Sequence, residues 1–472
     1  MLRFPFRWIA ALALTLMVFG GAVAQQDVRP LARIAFGSCA DQDKPLPIFD
    51  TILNAKPDLL LMLGDNIYAD IKTPRDKVNP DVIKEAYETL AKLPAWQKLR
   101  ETVPMLAIWD DHDYGINDAG EEWKYKEESK KLMLDFFGVP ADAPRRTRPG
   151  AYAAAIVGPP GQRVQIILLD TRYFRSKLTR ADRPGPGMRV PGYLPNTDPD
   201  ATVLGAEQWK WLEEQLKKPA ELRLLCSSIQ VVVDEHPFEK WANFPKEREK
   251  LFNLIRETGA KGVIILSGDR HLADLSVDAK AVGYPLYDVT SSGLNQGSPV
   301  WRAPEPNKYR VGGMPWGNNF GMIEIDWSAT DPLVSMKLLD EKGQVSVRET
   351  IPLSLLTPKE AIPPKVALAP GVIGPLEAIK KKAGDEVIVQ FEVKNGRKTA
   401  ARFFLNSEKD FRAEDNFTVL IVGKALNEGK WANAKEETFI GKTIRVKGVI
   451  SEYNNKPQLQ VDDENNLEIV GE

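Results

Sequence analysis

The sequence predicts an α/β protein followed by a smaller all-β part, and three observations support this prediction. Short apolar runs of strand length alternate with amphipathic helical patterns up to about Asp274. Runs such as Leu-Leu-Leu-Met-Leu at 59–63 have no polar face, which indicates strands buried on both sides, as in a layered α/β core. After Asp274 the helical patterns stop and strand-like runs follow, so the β content rises along the chain.

The individual elements follow from the period of the apolar positions. The predicted strands of the α/β part are Arg33–Phe36, Leu59–Leu63, Met105–Trp109, Val164–Leu169, Leu222–Ser228 and Val263–Leu266. The predicted helices are Pro47–Asn54, Asp81–Arg100, Ala119–Phe137, Ala206–Lys217 and Lys246–Thr258. Further strands at Tyr287–Thr290, Gly321–Asp326, Val334–Leu339 and Val345–Ile351 predict a second sheet, or a β-rich half of the first.

A Pro-rich segment over 357–375 is predicted to be a linker. Beyond it, short strands without long helices predict a small barrel or sandwich. These strands are Glu386–Val393, Arg402–Asn406, Phe417–Val422, Thr443–Glu452 and Gln458–Val461. We therefore expect a first domain over 25–356 and a β domain over 376–472.

The N-terminal segment 1–24 has the pattern of a Sec-type export signal. Two arginines precede an apolar run of about a dozen residues, which is short of the ~20 needed to span a bilayer. The run leads to Ala22-Val23-Ala24, the small-residue pattern of a cleavage site. An uncleaved anchor is the alternative. We expect the mature chain to begin near Gln25 and to be periplasmic or extracellular, without integral membrane association.

Composition excludes several classes of protein. The 472 residues include 63 Lys+Arg and 65 Asp+Glu, a net charge of −2, which gives no electrostatic basis for nucleic-acid binding. Two cysteines exclude a disulfide-dense scaffold and a CxxC zinc site, although they could pair with each other. Cys226 lies within an apolar strand and is predicted to be a buried packing residue. Cys39 ends a strand beside polar residues, which suits a ligand better.

The apolar strands run directly into polar clusters. These clusters are Gly37–Cys39, Gly64–Tyr68, Asp110–Asp113, Gln230–His236 and Gly268–His271, and together they contain all three histidines. In open α/β sheets, ligands bind beyond the carboxyl ends of the strands, so we expect the clusters to converge on one site.

The side chains of these clusters predict a metal site. The candidate donors are the carboxylates of Asp65, Asp111 and Asp269, the imidazole of His271, the thiolate of Cys39 and the phenolate of Tyr68. This set carries too much charge for one structural zinc and suits two cations that share a carboxylate. Phenolate and thiolate ligands favour an iron(III)-like ion, and the oxygen donors favour calcium, magnesium or manganese. The alternative for Tyr68 is a core aromatic residue with its hydroxyl in water.

The block Gly64-Asp65-Asn66-Ile67-Tyr68 resembles the calcineurin-like metallophosphoesterases, which include the purple acid phosphatases. Together with Phe36–Cys39, Trp109–Asp113 and Ser267–His271, it is similar to the alkaline phosphatase D (PhoD-like) branch of that family. The resemblance covers about residues 31–330 and implies a four-layer α/β/β/α sandwich. The branch typically uses twin-arginine export, which the separated Arg3 and Arg7 do not match.

The resemblance also implies roles for individual residues. Cys39, Tyr68 and His271 would hold the iron-type metal, Asp65 would bridge, and Asp111 and Asp269 would hold the second metal. Asn117 is implied as a further ligand or phosphate contact. His236 would stand in for a ligand histidine of other branches, and the alternative for His236 is a structural turn.

The C-terminal part resembles OB-fold domains of the nucleic-acid-binding type. The resemblance rests on Gly441–Gly448 and Tyr453–Val461. Because the charges of this part are balanced, we do not expect it to bind nucleic acid.

The predicted function is that of an exported metal-dependent phosphoesterase acting on small-molecule phosphate monoesters, diesters or both. Paired metals would activate a water as hydroxide for attack on phosphorus, next to Asp65. His112 is the candidate general acid for the leaving alkoxide. Arg172 and Arg270 are candidates to neutralise phosphate charge, with structural ion pairs as the alternative.

Two other classes of protein remain open from the sequence. One is a non-catalytic exported binding protein built on a degenerate phosphatase core, which the complete set of ligand residues argues against. The other is a cysteine hydrolase with Cys39 as nucleophile. Neighbouring carboxylates would raise the pKa of such a thiol, which argues against that role.

Overall fold

A computed structural model describes residues 29–184, 191–300, 303–358, 371–413, 416–454 and 456–470. The chain divides into two compact units between positions 364 and 365, inside the Pro-rich segment 357–375. The predicted export signal over 1–24 lies outside the described residues, as does 359–370 of the predicted linker.

The first unit is an α/β structure. Its strands are β1 (Arg33–Gly37), β2 (Leu59–Leu63), β3 (Met105–Ile108), β4 (Ala153–Val157), β5 (Val164–Leu168), β6 (Thr179–Arg180), β7 (Tyr193–Leu194), β8 (Leu222–Cys226), β9 (Val263–Ser267), β10 (Ala273–Asp278), β11 (Leu286–Ser291), β12 (Asn319–Asp326), β13 (Leu333–Asp340) and β14 (Val345–Pro352). Its helices are α1 (Ile48–Asn54), α2 (Pro80–Ala91), α3 (Pro94–Thr102), α4 (Asp111–Tyr114), α5 (Lys126–Phe136), α6 (Gly205–Leu216) and α7 (Pro245–Glu257).

Within the described residues, most of these strands form two six-stranded sheets, and β6 pairs separately with β7. The first sheet has the order β14-β13-β12-β1-β2-β3, with β1, β2 and β3 parallel. The second has the order β10-β11-β9-β8-β5-β4, with β5, β8, β9 and β11 parallel and antiparallel strands at both edges. The parallel centres of both sheets therefore supply the strand ends that carry the polar clusters.

The two sheets share one hydrophobic core. All residues of β2, β5, β8 and β9 are buried, as the continuously apolar runs predict. Ser291 Oγ at the end of β11 donates to Asn319 Oδ1 of β12 over 2.9 Å, which joins the sheets. Helices α1, α2, α3 and α5 pack beside the first sheet, and Gln165 of β5 donates to the Gln215 carbonyl of α6. This helix, sheet, sheet, helix order confirms the predicted fold class.

The structure corrects several predicted elements. The helix expected over 81–100 is two helices, because Pro94 lacks an amide hydrogen and begins α3 instead of continuing α2. The helix expected from Ala119 begins only at Lys126, since Glu121 N bonds to the Arg175 carbonyl. Edge strands β4 and β10 were missed. The sequence of β4, Ala-Ala-Ala-Ile-Val, lacks a strong strand signal, whereas β10, Ala-Asp-Leu-Ser-Val-Asp, has the alternating pattern of a strand directly after the block Gly268–His271 and was overlooked there.

The second unit is built mainly of strands around its own core. Its strands are β15 (Val372–Ile373), β16 (Glu386–Glu392), β17 (Asn395–Lys398), β18 (Phe403–Asn406), β19 (Thr418–Ile421), β20 (Thr443–Tyr453), β21 (Lys456–Val461) and β22 (Leu467–Ile469). Two short helices are α8 (Pro375–Ala378) and α9 (Gly423–Asn427). The long strand β20 pairs with β16, β21 and β22. It therefore connects β15 and β16 on one side of the sheet to β21, β19, β18 and β17 on the other. The predicted all-β architecture is confirmed, and the OB-fold resemblance stays a prediction.

Both cysteines are free thiols and fully buried. Cys226 ends β8 inside the hydrophobic core, as expected for a packing residue. None of the helices in the described part of the chain combines the length and the apolarity that a bilayer crossing requires.

Candidate metal centre and active site

The polar clusters that follow the parallel strands of both sheets meet at one place. Cys39 lies just beyond β1, and Asp65 lies just beyond β2. Their loops are tied together, because Cys39 N donates to the Gly64 carbonyl and Ala40 N donates to the Asp65 carbonyl. Gly64 has a φ of 108°, and a Cβ there would overlap Asp110 at the end of β3. The loops after β2 and β3 pack directly on each other, and this close approach requires glycine at position 64.

Asp65 lies at the centre of the cluster. Its Oδ2 accepts hydrogen bonds from Cys39 Sγ and from the Tyr68 hydroxyl, both over 3.3 Å. Its Oδ1 accepts from the backbone N of His112 over 3.2 Å. One carboxylate therefore contacts residues from three strand ends.

Cys39, Tyr68 and His271 form one side of the cluster. The Tyr68 hydroxyl is buried and lies 2.9 Å from His271 Nε2, so it has a protein partner instead of the solvent contact of the alternative. Ser292 Oγ lies 3.2 Å from Cys39 Sγ and accepts from His271 N over 2.8 Å. The ligand atoms of Cys39, Asp65 and His271 all lie within 4.8 Å of one another, which is compatible with a shared ion.

Asp111 and Asp269 form the other side. Carboxylate oxygens of Asp65, Asp110, Asp111 and Asp269 lie within 4.8 Å of one another. Asp110 was not among the predicted ligands, although it precedes Asp111 directly. The structure therefore brings all six predicted metal ligands into one cluster whose two sides share Asp65.

The electrostatics of this cluster favour a bound cation. Burial, followed by the charges of Cys39 and Asp111, raises the pKa of Asp65 well above its ordinary value. Burial also raises the pKa of Asp269 to about 7 and that of the Cys39 thiol to about 11. Burial acts on Asp111 in the same direction, but the charges of His112 and Arg172 hold its pKa below its ordinary value. Cations would remove the repulsion between these carboxylates, so the donor set fits metal ions.

Comparison with known proteins agrees with this geometry. Residues 140–287 match the family model of the PhoD-like phosphatases. The matched region contains most of the second sheet and the block Gly268–His271, and it does not extend to Cys39, Asp65 or Asp111. The match confirms the resemblance to the PhoD-like branch that the motifs predict.

A curated relative and two solved structures are similar to the chain. Alkaline phosphatase D of Bacillus subtilis (strain 168) is 24% identical over 299 residues, which cover 55% of this chain and 49% of the relative. The chain thus spans about half the length of the curated relative it matches. A structure of PhoD is 17% identical with a TM-score of 0.49, covering 68% of this chain and 72% of that one. The purple acid phosphatase PPD1 from yellow lupin (Lupinus luteus) seeds is 14% identical with a TM-score of 0.45, covering 69% and 54%.

The backbone is strained where four of the candidate ligands lie. Cys39, Asp65, Asp269 and His271 have φ values of 66°, 48°, 68° and 53°. Non-glycine residues rarely adopt this left-handed region, and such residues concentrate at functional sites. The conformation turns each ligand residue sharply at its strand end, and the hydrogen bonds of the cluster hold it there.

His112 lies against the same cluster on α4. Its Nδ1 is 2.5 Å from Asp70 Oδ1, and its ring centroid is 4.3 Å from that of Tyr68. Among the described residues, Nε2 has no hydrogen-bond partner, so this nitrogen is available to a substrate. Burial acts to lower the pKa of His112, but the charges of Asp111 and Asp70 raise it to about 9.

Several residues of the site were missed by sequence reasoning. Asp70 holds His112 and also accepts from Asn117 N over 2.8 Å. Asp113 accepts from the backbone N of Asp65 and of Asp110 over 3.2 and 2.7 Å, so it fixes two loops at once. Asp113 ends the predicted cluster Asp110–Asp113, where it was given no role, and Asp70 lies two residues after Gly64–Tyr68. These positions were the available signal.

Arg172 is fully buried and lies in an ion-pair network. Its Nε and Nη2 contact Asp110 Oδ1 over 2.6 and 2.5 Å, and its Nη1 contacts Glu239 Oε2 over 2.7 Å. Arg175 contacts the other oxygen of Glu239 over 3.0 Å. These contacts favour a structural ion pair for Arg172, which the sequence left open as the alternative to a phosphate contact.

We expect Arg172→Met to lower the free energy of unfolding by about 3–5 kcal/mol, because Asp110 and Glu239 would stay buried without their cation. Urea unfolding of the metal-free protein, followed by circular dichroism, measures this change. Arg163→Met, which breaks the partly exposed pair with Glu221, is the matched control and should cost far less. A stability loss equal to that of the control, together with a raised KM, would favour the substrate role of Arg172.

The other predicted substrate contacts lie at the edge of the cluster. Arg270 follows Asp269 directly, and its Nη1 lies 3.8 Å from Asp269 Oδ2. Asn117 is exposed, and its Nδ2 donates to Asp118 Oδ2 over 2.5 Å.

His236 is buried with both ring nitrogens in use. Its Nε2 lies 2.9 Å from Gln230 Oε1, and its Nδ1 accepts from Phe238 N over 3.2 Å. Burial, followed by the charge of Arg270, lowers its pKa well below the ordinary value. These contacts favour the turn alternative over a ligand role for this neutral histidine.

Proposed function

We propose that the chain is an exported, metal-dependent phosphoesterase that hydrolyses phosphate monoesters, phosphate diesters or both. The position of Asp65 carries this proposal, because its carboxylate contacts Cys39 and Tyr68 and also lies beside Asp111 and Asp269. A carboxylate shared by two donor groups is the arrangement expected of a site that clamps a phosphoryl group between two cations. The match to the PhoD-like phosphatases supports the same class of reaction.

The residues divide into donors for two kinds of cation. Cys39, Tyr68 and His271 would hold an iron(III)-like ion together with Asp65, because thiolate and phenolate suit such an ion. Asp111 and Asp269 would hold calcium, or magnesium or manganese, also together with Asp65. When bound, cations of this kind neutralise phosphate oxygens and supply a water of lowered pKa as nucleophile.

The remaining residues act on the substrate. His112 would donate a proton from Nε2 to the leaving oxygen, while Asp70 holds Nδ1 and fixes the ring. Arg270 would neutralise charge on the phosphoryl group from its place beside Asp269. For Asn117, His236 and Arg172 a substrate contact stays a prediction.

The two rival functions have less support. A degenerate core would not be expected to keep five further donor residues grouped around the shared carboxylate of Asp65. A nucleophilic cysteine needs a lowered pKa, whereas burial raises the pKa of Cys39 to about 11.

Export and domain organisation remain part of the proposal. Export rests on the basic and apolar pattern of residues 1–24. The proposed domains are the phosphatase domain over 25–356 and the β domain over 376–472, joined by the linker 357–375.

The function is tested by metal analysis and kinetics on the same sample. We expect the purified full chain to contain stoichiometric metal and to hydrolyse nitrophenyl phosphate, bis-nitrophenyl phosphate or both. Chelation should abolish hydrolysis, and metal addition should restore it. Full activity in protein free of metal would refute the proposal, and so would a chain that hydrolyses neither ester with any of the proposed metals.

The two cysteines provide a matched pair of variants for this test. Cys39→Ser should lose the iron-type metal, because the thiol lies among the proposed ligands. Cys226→Ser should keep it, because Cys226 lies inside the hydrophobic core. Equal metal content in both variants would contradict the assignment of Cys39.

A further inference from the structure

Phe238 is an exposed aromatic residue on a loop beside the site, between residues that are buried. It is 36% exposed, while its neighbours His236, Glu239 and Lys240 are 2%, 1% and 4% exposed. Its backbone is nonetheless fixed, since its N donates to His236 Nδ1 and its carbonyl accepts from Lys240 Nζ over 3.1 Å. The Phe238 ring is therefore held at a defined, partly exposed position beside Arg270.

The guanidinium of Arg270 lies over the face of the Phe238 ring. The Arg270 Cζ lies 3.8 Å from the ring centroid, well within the ~6 Å range of cation–π attraction. On another side, Arg270 Nη2 lies 2.7 Å from Glu305 Oε1. The third contact is the 3.8 Å approach of Nη1 to Asp269. Arg270 is therefore held by a ring face and by two carboxylates.

We infer that Phe238 is a positioning residue that holds Arg270 for the phosphoryl group of the substrate. An aromatic ring binds the face of a guanidinium, so the N–H groups at its edge can still contact oxyanions. Glu305 holds Nη2, which sets the rotation of the plane and places Nη1 on the side of the cluster, 3.8 Å from Asp269 Oδ2. The inference rests on the proposed phosphoesterase function and extends it to a residue outside every motif of the site.

The competing explanation is that Phe238 only fills space beside Arg270. Side-chain volume and ring face can be separated by substitution. Phe238→Leu and Phe238→Met keep an apolar side chain and lose the ring, whereas Phe238→Tyr keeps the ring. A packing role predicts a similar kcat/KM for all three variants. A cation–π role predicts that Phe238→Leu and Phe238→Met lower kcat/KM and that Phe238→Tyr does not.

The experiment measures kcat and KM for nitrophenyl phosphate, and inhibition by inorganic phosphate, on the metal-loaded full chain. We expect Phe238→Leu and Phe238→Met to lower kcat/KM about tenfold and to weaken phosphate inhibition similarly, within the roughly 2- to 30-fold range of cation–π energies. Phe238→Tyr should stay within about twofold of the unsubstituted chain.

The decisive measurement repeats Phe238→Leu in an Arg270→Gln background. If Phe238 acts through Arg270, the second substitution should change kcat/KM by less than about twofold, because the effects of coupled residues do not add. Phe411→Leu is a matched control, since the Arg412 Cζ lies 5.0 Å from that exposed ring in the C-terminal unit. It should leave the kinetics unchanged.

Two results would overturn the inference while leaving the proposed function intact. These are an active chain in which Phe238→Leu and Phe238→Met have no effect, and additive losses of Phe238→Leu and Arg270→Gln. A chain that neither hydrolyses the ester nor binds inorganic phosphate would overturn both the function and the inference. Preserved circular dichroism spectra identify the kinetic losses as local.

Discussion

Asp65→Asn is expected to abolish hydrolysis and metal retention while stabilising the metal-free chain. The carboxylate is the shared donor of both proposed cations, so its loss should weaken both sites and lower kcat/KM more than about 100-fold. Without metal, burial and the charges of Asp111 and Asp110 disfavour the ionised form of this carboxylate. Removing its charge should therefore raise the free energy of unfolding, by an amount on the order of 1 kcal/mol.

Elemental analysis and urea unfolding with and without chelator measure the two effects. Glu247→Gln is the matched control, because Glu247 is a buried carboxylate that accepts from Thr202 Oγ1, Val203 N and Trp209 Nε1. Its neutralisation should lower stability and leave the metal content unchanged. The shared-ligand role fails if Asp65→Asn retains both metals or full activity.

His112→Ala is expected to separate substrates by leaving group. Alkyl phosphates need a proton on the departing oxygen, and loss of a positioned acid typically costs about 10²–10⁴-fold in rate. Nitrophenolate departs without a proton, so nitrophenyl esters should be slowed much less. The backbone N of His112 also donates to Asp65 and Asp111, and alanine keeps these contacts.

Kinetics measured in parallel on an alkyl phosphate and on nitrophenyl phosphate give the ratio of the two rate losses directly. Asp70→Asn should shift the ratio in the same direction by a smaller factor, because it weakens the hold on Nδ1 and leaves the imidazole in place. Equal losses on both esters would argue against proton donation and would favour His112 as a further ligand, close to Asp65 and Asp111.

The sequence was sufficient to predict the elements that depend on local patterns. Continuously apolar strands such as β2 and β9 are unambiguous, and the polar residues that follow the parallel strands β1, β2 and β3 had to lie at the same edge of that sheet. The ligand cluster around Asp65 was predictable for this reason. Edge strand β4 was not, because its alanines have no strong preference and its pairing with β5 defines it.

The contacts between distant parts of the chain could not be predicted. Ser292 meets Cys39 across 253 residues, and no spacing rule connects them. The burial of Arg172 depends on Asp110 and Glu239 approaching from different loops, 62 and 67 residues away. From its position alone, an arginine after a strand end could be a substrate contact or part of a structural ion pair. Only its partners distinguish the two.

The sharing of ligands between two sheets bears on how the protein matures. Tyr68 and His271 are 203 residues apart and belong to loops of different sheets, so their side chains meet only after both sheets have formed and packed. Contacts of such separation form slowly during folding, because the intervening chain must be ordered first. Uptake of the proposed cations is then expected to be a late event that stabilises the finished fold. A chain truncated before β9 would lack Asp269 and His271, and so would lose a proposed donor to each ion.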